Sequence, residues 1–166
     1  MKRLFSVIGA LALTALAPAA GAQDATYTIR LMTSDTALKA AQAALKSCRD
    51  SGYQVAVAIV DRGGVTQVLL RDRFAGPHTP DMAVDKAWTA VSFRTNTAEL
   101  ARISAPGQPA SGIRNRPRVV TVGGGLTVEG GGTILGGIGV SGAPGGNLDD
   151  ECAKAGIAAI KESIEF

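Results

Sequence analysis

The side chains able to do chemistry are few, and several of them fall close together. The 166-residue chain carries one histidine, His78, and two cysteines, Cys48 and Cys152. A single imidazole excludes a three-histidine zinc centre or an HExxH helix. Two distant cysteines exclude zinc ribbons, CxxC redox motifs and iron–sulfur ligation. One imidazole is nevertheless enough to serve haem iron as an axial or gating ligand. His78 stands in a loop just before Thr79-Pro80, a helix start with proline at its first position. Met82, Lys86, Thr89 and Phe93 then fall on one mixed face of the helix that follows. Met82 offers a thioether, Lys86 an ammonium for a propionate, and Thr89 a hydroxyl that can approach iron or its bound water. The same four residues equally suit a semi-buried subunit interface, and a lone loop histidine is most often simply solvated. Spacing does not decide among these readings.

Other constellations carry less. Residues 137–142 match GxGxxG after a predicted strand, but only one helix remains before the chain ends, so no βαβ unit exists to hold a dinucleotide. Asp61, Asp72, Asp81 and Asp85 are too dispersed for a carboxylate pair, and Asp81 and Asp85 serve a helix dipole. No nucleophile elbow accompanies the one histidine, so no Ser–His–Asp triad is available. No residue reads as catalytic.

The first 22 residues read as a secretory signal. Lys2 and Arg3 precede a nearly all-apolar run of about 14 residues, and Ala20-Gly21-Ala22 supplies a small-x-small cleavage site. The run is too short for the roughly 30 Å hydrocarbon layer. The expected mature protein is residues 23–166, a single domain, periplasmic or secreted, without a stable membrane span after cleavage. Without Lys2 and Arg3 the basic count falls from 17 to 15 against 14 acidic residues, which leaves no electrostatic case for nucleic acid. In such an oxidising compartment, Cys48 and Cys152, each on the inward stripe of an alanine-rich helix, are expected to form a disulfide joining the first and last helices. Two buried free thiols are the other reading.

The elements that must position these residues follow from periodicity. A helix capped by Ser34 or Asp35 runs to about Asp50, with Ala37, Ala40, Ala41, Ala44, Leu45 and Cys48 on its inner stripe. Residues 54–61 and 65–70 read as strands joined through Arg62-Gly63-Gly64. The Thr79-Pro80 helix extends to about Phe93, with Ala83, Val84, Ala87, Trp88 and Val91 facing the core. Residues 97–104 suggest one further short helix. Residues 118–122, 126–129 and 133–141 read as three more strands. Between positions 123 and 146, 12 of 24 residues are glycine, which implies close backbone approach to a helix, another subunit or a flat ligand. Asn147 is placed to cap the last helix. This order predicts an α+β domain whose mostly antiparallel, five-stranded sheet is flanked by helices.

Several segments together resemble the haem-degrading (GlcG/HbpS-like) family. They are VAVAIVDRGG at residues 55–64, DMAVDKAWTAVSF at 81–93, TAELA at 97–101, GGGLTV at 123–128 and LGGIGVSG at 135–142. The resemblance runs from about Leu31 to Ile160. It implies a profilin-like sheet, a homo-oligomer, and ligand contacts around the central helix and the loop before it. Thr89 falls at the family's threonine in K-A-x-T-A. Histidines that some haem-binding relatives carry elsewhere are missing, which leaves His78 as the only imidazole. The resemblance implies an exported haem-binding protein concerned with haem sensing, storage or breakdown. Two alternatives stay open: a small-molecule-binding accessory of an oxidative catabolic pathway, as in the glycolate-operon branch, or a structural oligomeric domain without catalysis.

Overall fold

The structure, a computed structural model, describes residues 25–165; the expected leader at 1–22 lies outside the described residues. Helix α1 (Ser34–Asp50) begins one residue earlier than its expected caps allow, because the Thr33 hydroxyl accepts the Thr36 N–H at 3.2 Å. Strands β1 (Ala56–Asp61) and β2 (Thr66–Arg71) form a hairpin. Helices α2 (Thr79–Phe93) and α3 (Thr97–Ile103) follow, then a 3-10 turn (Ser111–Asn115). Strands β3 (Gly125–Gly130) and β4 (Thr133–Ser141) make a second hairpin, and α4 (Gly146–Ile164) closes the domain. The four strands form one antiparallel sheet in the order β2-β1-β4-β3.

Residues 118–122 are not a fifth strand. Arg118 has φ 71, which breaks an extended run, and the Val120 N–H is satisfied by the Thr89 hydroxyl at 3.0 Å instead of a sheet neighbour. The segment is a strap across α2. Asn147 is also not a cap: Gly145 holds that position with no side-chain hydrogen bond, and Asn147 lies inside α4.

The two faces of the sheet differ in the size of what they present. Val57 and Ile59 of β1, with Ile138 and Val140 of β4, pack beneath α1 and α4 in the main core. Alternation sends Ala56, Ala58 and Val60 to the other face, where they meet Ala83, Ala87 and Val91 of α2. There the glycines act as a floor. A Cβ on Gly139 would stand 1.9 Å from the Ala83 carbonyl oxygen, and one on Gly125 would stand 2.4 Å from that of Lys86. Of the three occupants the glycine density allowed, the one present is a helix.

Cys48 and Cys152 are joined, with Cα atoms 5.4 Å apart and a sequence separation of 104. The close approach of α1 and α4 that this requires is permitted by Gly156, where a Cβ would be 2.7 Å from the Ala40 carbonyl oxygen. Two predictions follow from this packing. Reduction should raise the intact mass by two hydrogens, and removing the bridge should destabilise the domain by about 2–5 kcal/mol in denaturant titration. Gly139→Ala should cost at least about 1–3 kcal/mol by the same measurement, because its neighbours are backbone atoms that cannot swing aside.

Candidate functional site

His78 is positioned by a loop anchored at both ends. At its start the buried Asp72 carboxylate accepts from Arg49 Nε at 2.6 Å and from the Val55 N–H at 3.2 Å. Arg71 further donates to the Ala75 carbonyl. At its end the Thr79 hydroxyl donates to the Gly76 carbonyl at 2.8 Å, folding the chain into the first turn of α2. His78 is the N-cap residue of that helix but makes no capping hydrogen bond with its side chain. Its ring lies against Gly76, where a Cβ would come within 2.7 Å of imidazole carbon. The imidazole is exposed to solvent and owes its position to a missing side chain.

Beside it opens a groove of about 530 Å³ between the start of α2, the 141–146 loop and Tyr53. His78 and Met82 line one side, Phe74 and Val122 contribute apolar surface, and Lys86 with Asp149 forms part of the floor. This volume falls within the range of small-molecule sites. Of the five residues singled out from the sequence, three meet here: His78, Met82 and Lys86. Thr89 and Phe93 do not line the groove. Thr89 is fully buried, and its hydroxyl donates to the Arg118 carbonyl at 3.2 Å while accepting the Val120 N–H. That hydroxyl holds the strap. Among the described residues no group of three or more His, Cys, Asp and Glu side chains is arranged to hold a metal ion.

Lys86 is 2% exposed, and its ammonium donates to Asp149 Oδ2 at 2.7 Å and to the Val140 carbonyl at 2.9 Å. Asp149 Oδ1 accepts the Ala143 N–H at 3.0 Å, so the pair ties α2, the end of β4 and the first turn of α4 together. Burial pushes the Asp149 carboxyl above the ordinary carboxylate range, and the Lys86 ammonium and the Ala143 N–H oppose that push. By its position in the first turn of α4, Asp149 reads from sequence as a charge facing the helix dipole, which does not reveal this role. The signal that could have found it is Lys86 itself, since a lysine on an otherwise apolar helix face needs a buried acid. Trp88, expected in the core, is half-buried: its ring edge covers Gly64 and Arg118 stacks on its face at 4.7 Å. Arg118 also pairs with Asp85 at 2.9 Å, which clamps the strap from outside.

These features define a class: a small α+β domain with an antiparallel four-stranded sheet and a ligand-sized groove at the N-terminal end of its central helix. A family model described as haem degrading protein HbpS-like matches residues 32–158, and the chain belongs to that family. It is 40% identical to a solved double mutant of HbpS from Streptomyces reticuli, with a TM-score of 0.78, covering 89% of this chain and 99% of that one. A solved PduOC:heme complex is similar at 32% identity and a TM-score of 0.74, covering 78% of this chain and 95% of that one. The corrinoid adenosyltransferase PduO of Salmonella typhimurium is 36% identical over 121 residues, 72% of this chain. The match spans only 36% of that enzyme's length.

The buried pair generates a prediction. Lys86→Met leaves Asp149 without its counter-charge and should destabilise the domain by about 3–5 kcal/mol, while Lys86→Met with Asp149→Leu should recover much of the loss. The pH dependence has a definite sign. An acid whose folded pKa is raised holds its proton more tightly in the folded state, so its contribution falls as pH rises from the ordinary carboxylate pKa through the raised one. Without Lys86 that window extends upward, and the single variant should regain stability on acidification from about pH 7 to about pH 5. Urea titrations at the two pH values check both statements.

Proposed function

We propose that this chain is an exported haem-binding protein that holds the porphyrin in the groove beside His78. The observation that carries the reading is an imidazole free of capping duty, one helical turn from Met82, lining a groove to which Phe74 and Val122 give apolar surface. The residues present suit the group. An uncommitted imidazole is a haem-iron ligand, and the Phe74 and Val122 surfaces suit a flat apolar macrocycle. Membership of the HbpS-like family and likeness to a protein solved with haem support the same assignment. Bound haem would supply an iron centre open to axial ligation.

The chain's own residues then divide the work. His78 supplies the imidazole, Met82 lines the groove one turn on, and Lys86 fixes the floor through Asp149. Thr89 acts through the strap, and Phe93, at the far end of α2, stands apart from the groove. The leader pattern expected at residues 1–22, together with the Cys48–Cys152 bridge, supports export to an oxidising compartment. No helix among the described residues is long and apolar enough to cross a membrane. Exposed Tyr27 and Val65 give a homo-oligomer apolar surface to bury.

Titration of the purified protein with hemin should give a Soret shift at micromolar haem. His78→Ala should alter the shifted band and weaken binding, and Gly76→Ala should do the same by displacing the ring. Absence of any Soret change in the parent protein would overturn the proposal. An unchanged band in His78→Ala would remove the imidazole from the iron.

A further inference from the structure

At the opposite end of α2, about 22 Å along a 15-residue helix from His78, three turns converge on a second groove of about 410 Å³. The β1–β2 turn contributes Arg62, the β3–β4 turn Thr133, and the end of α2 Ser92 and Arg94, with Val91 and Ile134 as apolar wall. None of the lining side chains is acidic. The nearest acid in sequence, Asp61, is turned to its own hairpin, where its Oδ1 accepts the Val65 N–H at 2.9 Å. We propose that this groove is a binding site for a small organic dianion, a molecule presenting phosphate or carboxylate oxygens to the Arg62 and Arg94 guanidiniums.

Arg94 closes α2 with a left-handed backbone, φ 50 and ψ 40, in which its own N–H donates to the Val91 carbonyl and the Thr95 N–H donates to the Ala90 carbonyl, the bonds of an ordinary helix stop. That stop leaves its side chain at the groove. The Arg94 guanidinium makes no hydrogen bond or ion pair among the described residues, whereas Arg102, Arg114 and Arg118 are each engaged. The helix dipole favours a cation near the last turn of α2, but it does not account for Arg62 arriving from another turn. Arg62 is already oriented, since its Nη1 donates to the Thr133 hydroxyl at 3.1 Å. Planar guanidiniums bind carboxylate and phosphate oxygens in pairs, and two of them flanked by hydroxyls match a doubly charged head group. The site is separate from the haem groove, so neither reading depends on the other.

Calorimetric titration of the full chain at low ionic strength with pyrophosphate, and separately with succinate, tests this. One of the two should bind with a Kd below about 1 mM, and which one does so identifies the head group. Arg94→Gly should weaken binding by roughly tenfold or more while Tm stays level or rises, because glycine favours that backbone conformation. Arg62→Gln should weaken it comparably, and Arg116→Gln, an exposed arginine outside the groove, should leave it unchanged. The proposal is overturned if neither anion binds at about 10 mM, if Arg94→Gly binds as the parent does, or if Arg116→Gln loses as much as the groove variants.

Discussion

The structure depends on one steric condition: α2 lies directly on the bare backbone of the sheet. Gly139, Gly137 and Gly125 present no side chain to it, and a methyl group on Gly139 would overlap the Ala83 carbonyl. Ordinary helix-on-sheet packing keeps the two layers about 10 Å apart through interleaved side chains. Here that spacing collapses, which brings the Lys86 ammonium within reach of a carboxylate on the far side of β4. The Lys86–Asp149 pair is a consequence of that approach. It joins α2 to α4, which the disulfide in turn joins to α1.

The groove follows from the same condition. Because α2 is held low on the sheet, its first turn and the loop before it stand beside the 141–146 loop, and the space left between them opens next to His78. The floor is polar but internally paired, and Phe74 and Val122 give the walls apolar surface. The mouth carries a ligand-competent imidazole with no structural duty. The strap at 118–122 is held by the Thr89 hydroxyl from beneath and by Arg118 on Trp88 and Asp85 from above. It closes the remaining face of α2 and directs access to its N-terminal end.

Much of this was legible because it rests on local rules. The inner stripe of α1, the Thr79-Pro80 start of α2, the Arg62-Gly63-Gly64 turn and the bridge between Cys48 and Cys152 all follow from period, capping and composition. Glycine density signalled close approach, though not which partner would approach. The caps of α1 and α4 fall a residue or two from where their sequence places them; the larger errors share a cause, since each depended on a contact distant in sequence. Residues 118–122 are β-branched and read as a strand, yet Thr89, some thirty positions earlier, takes the Val120 N–H that a sheet would need. Thr89 and Lys86 read as ligand-facing because they are polar on an apolar helix. Their partners, Arg118, Val120, Val140 and Asp149, lie 29 to 63 residues away. A polar residue on a buried helix face announces that it needs a partner, but not whether that partner is a ligand or the protein's own chain.

The central claim is that the groove beside His78 holds the haem iron while α2 stays fixed on its glycine floor. Anomalous diffraction at the iron edge from crystals of the haem-loaded protein tests it most directly. The account predicts one iron peak per chain within bonding distance of the His78 imidazole, with the Lys86–Asp149 contact intact. A peak on the Thr89 side of α2, or at a position away from the groove, would contradict it.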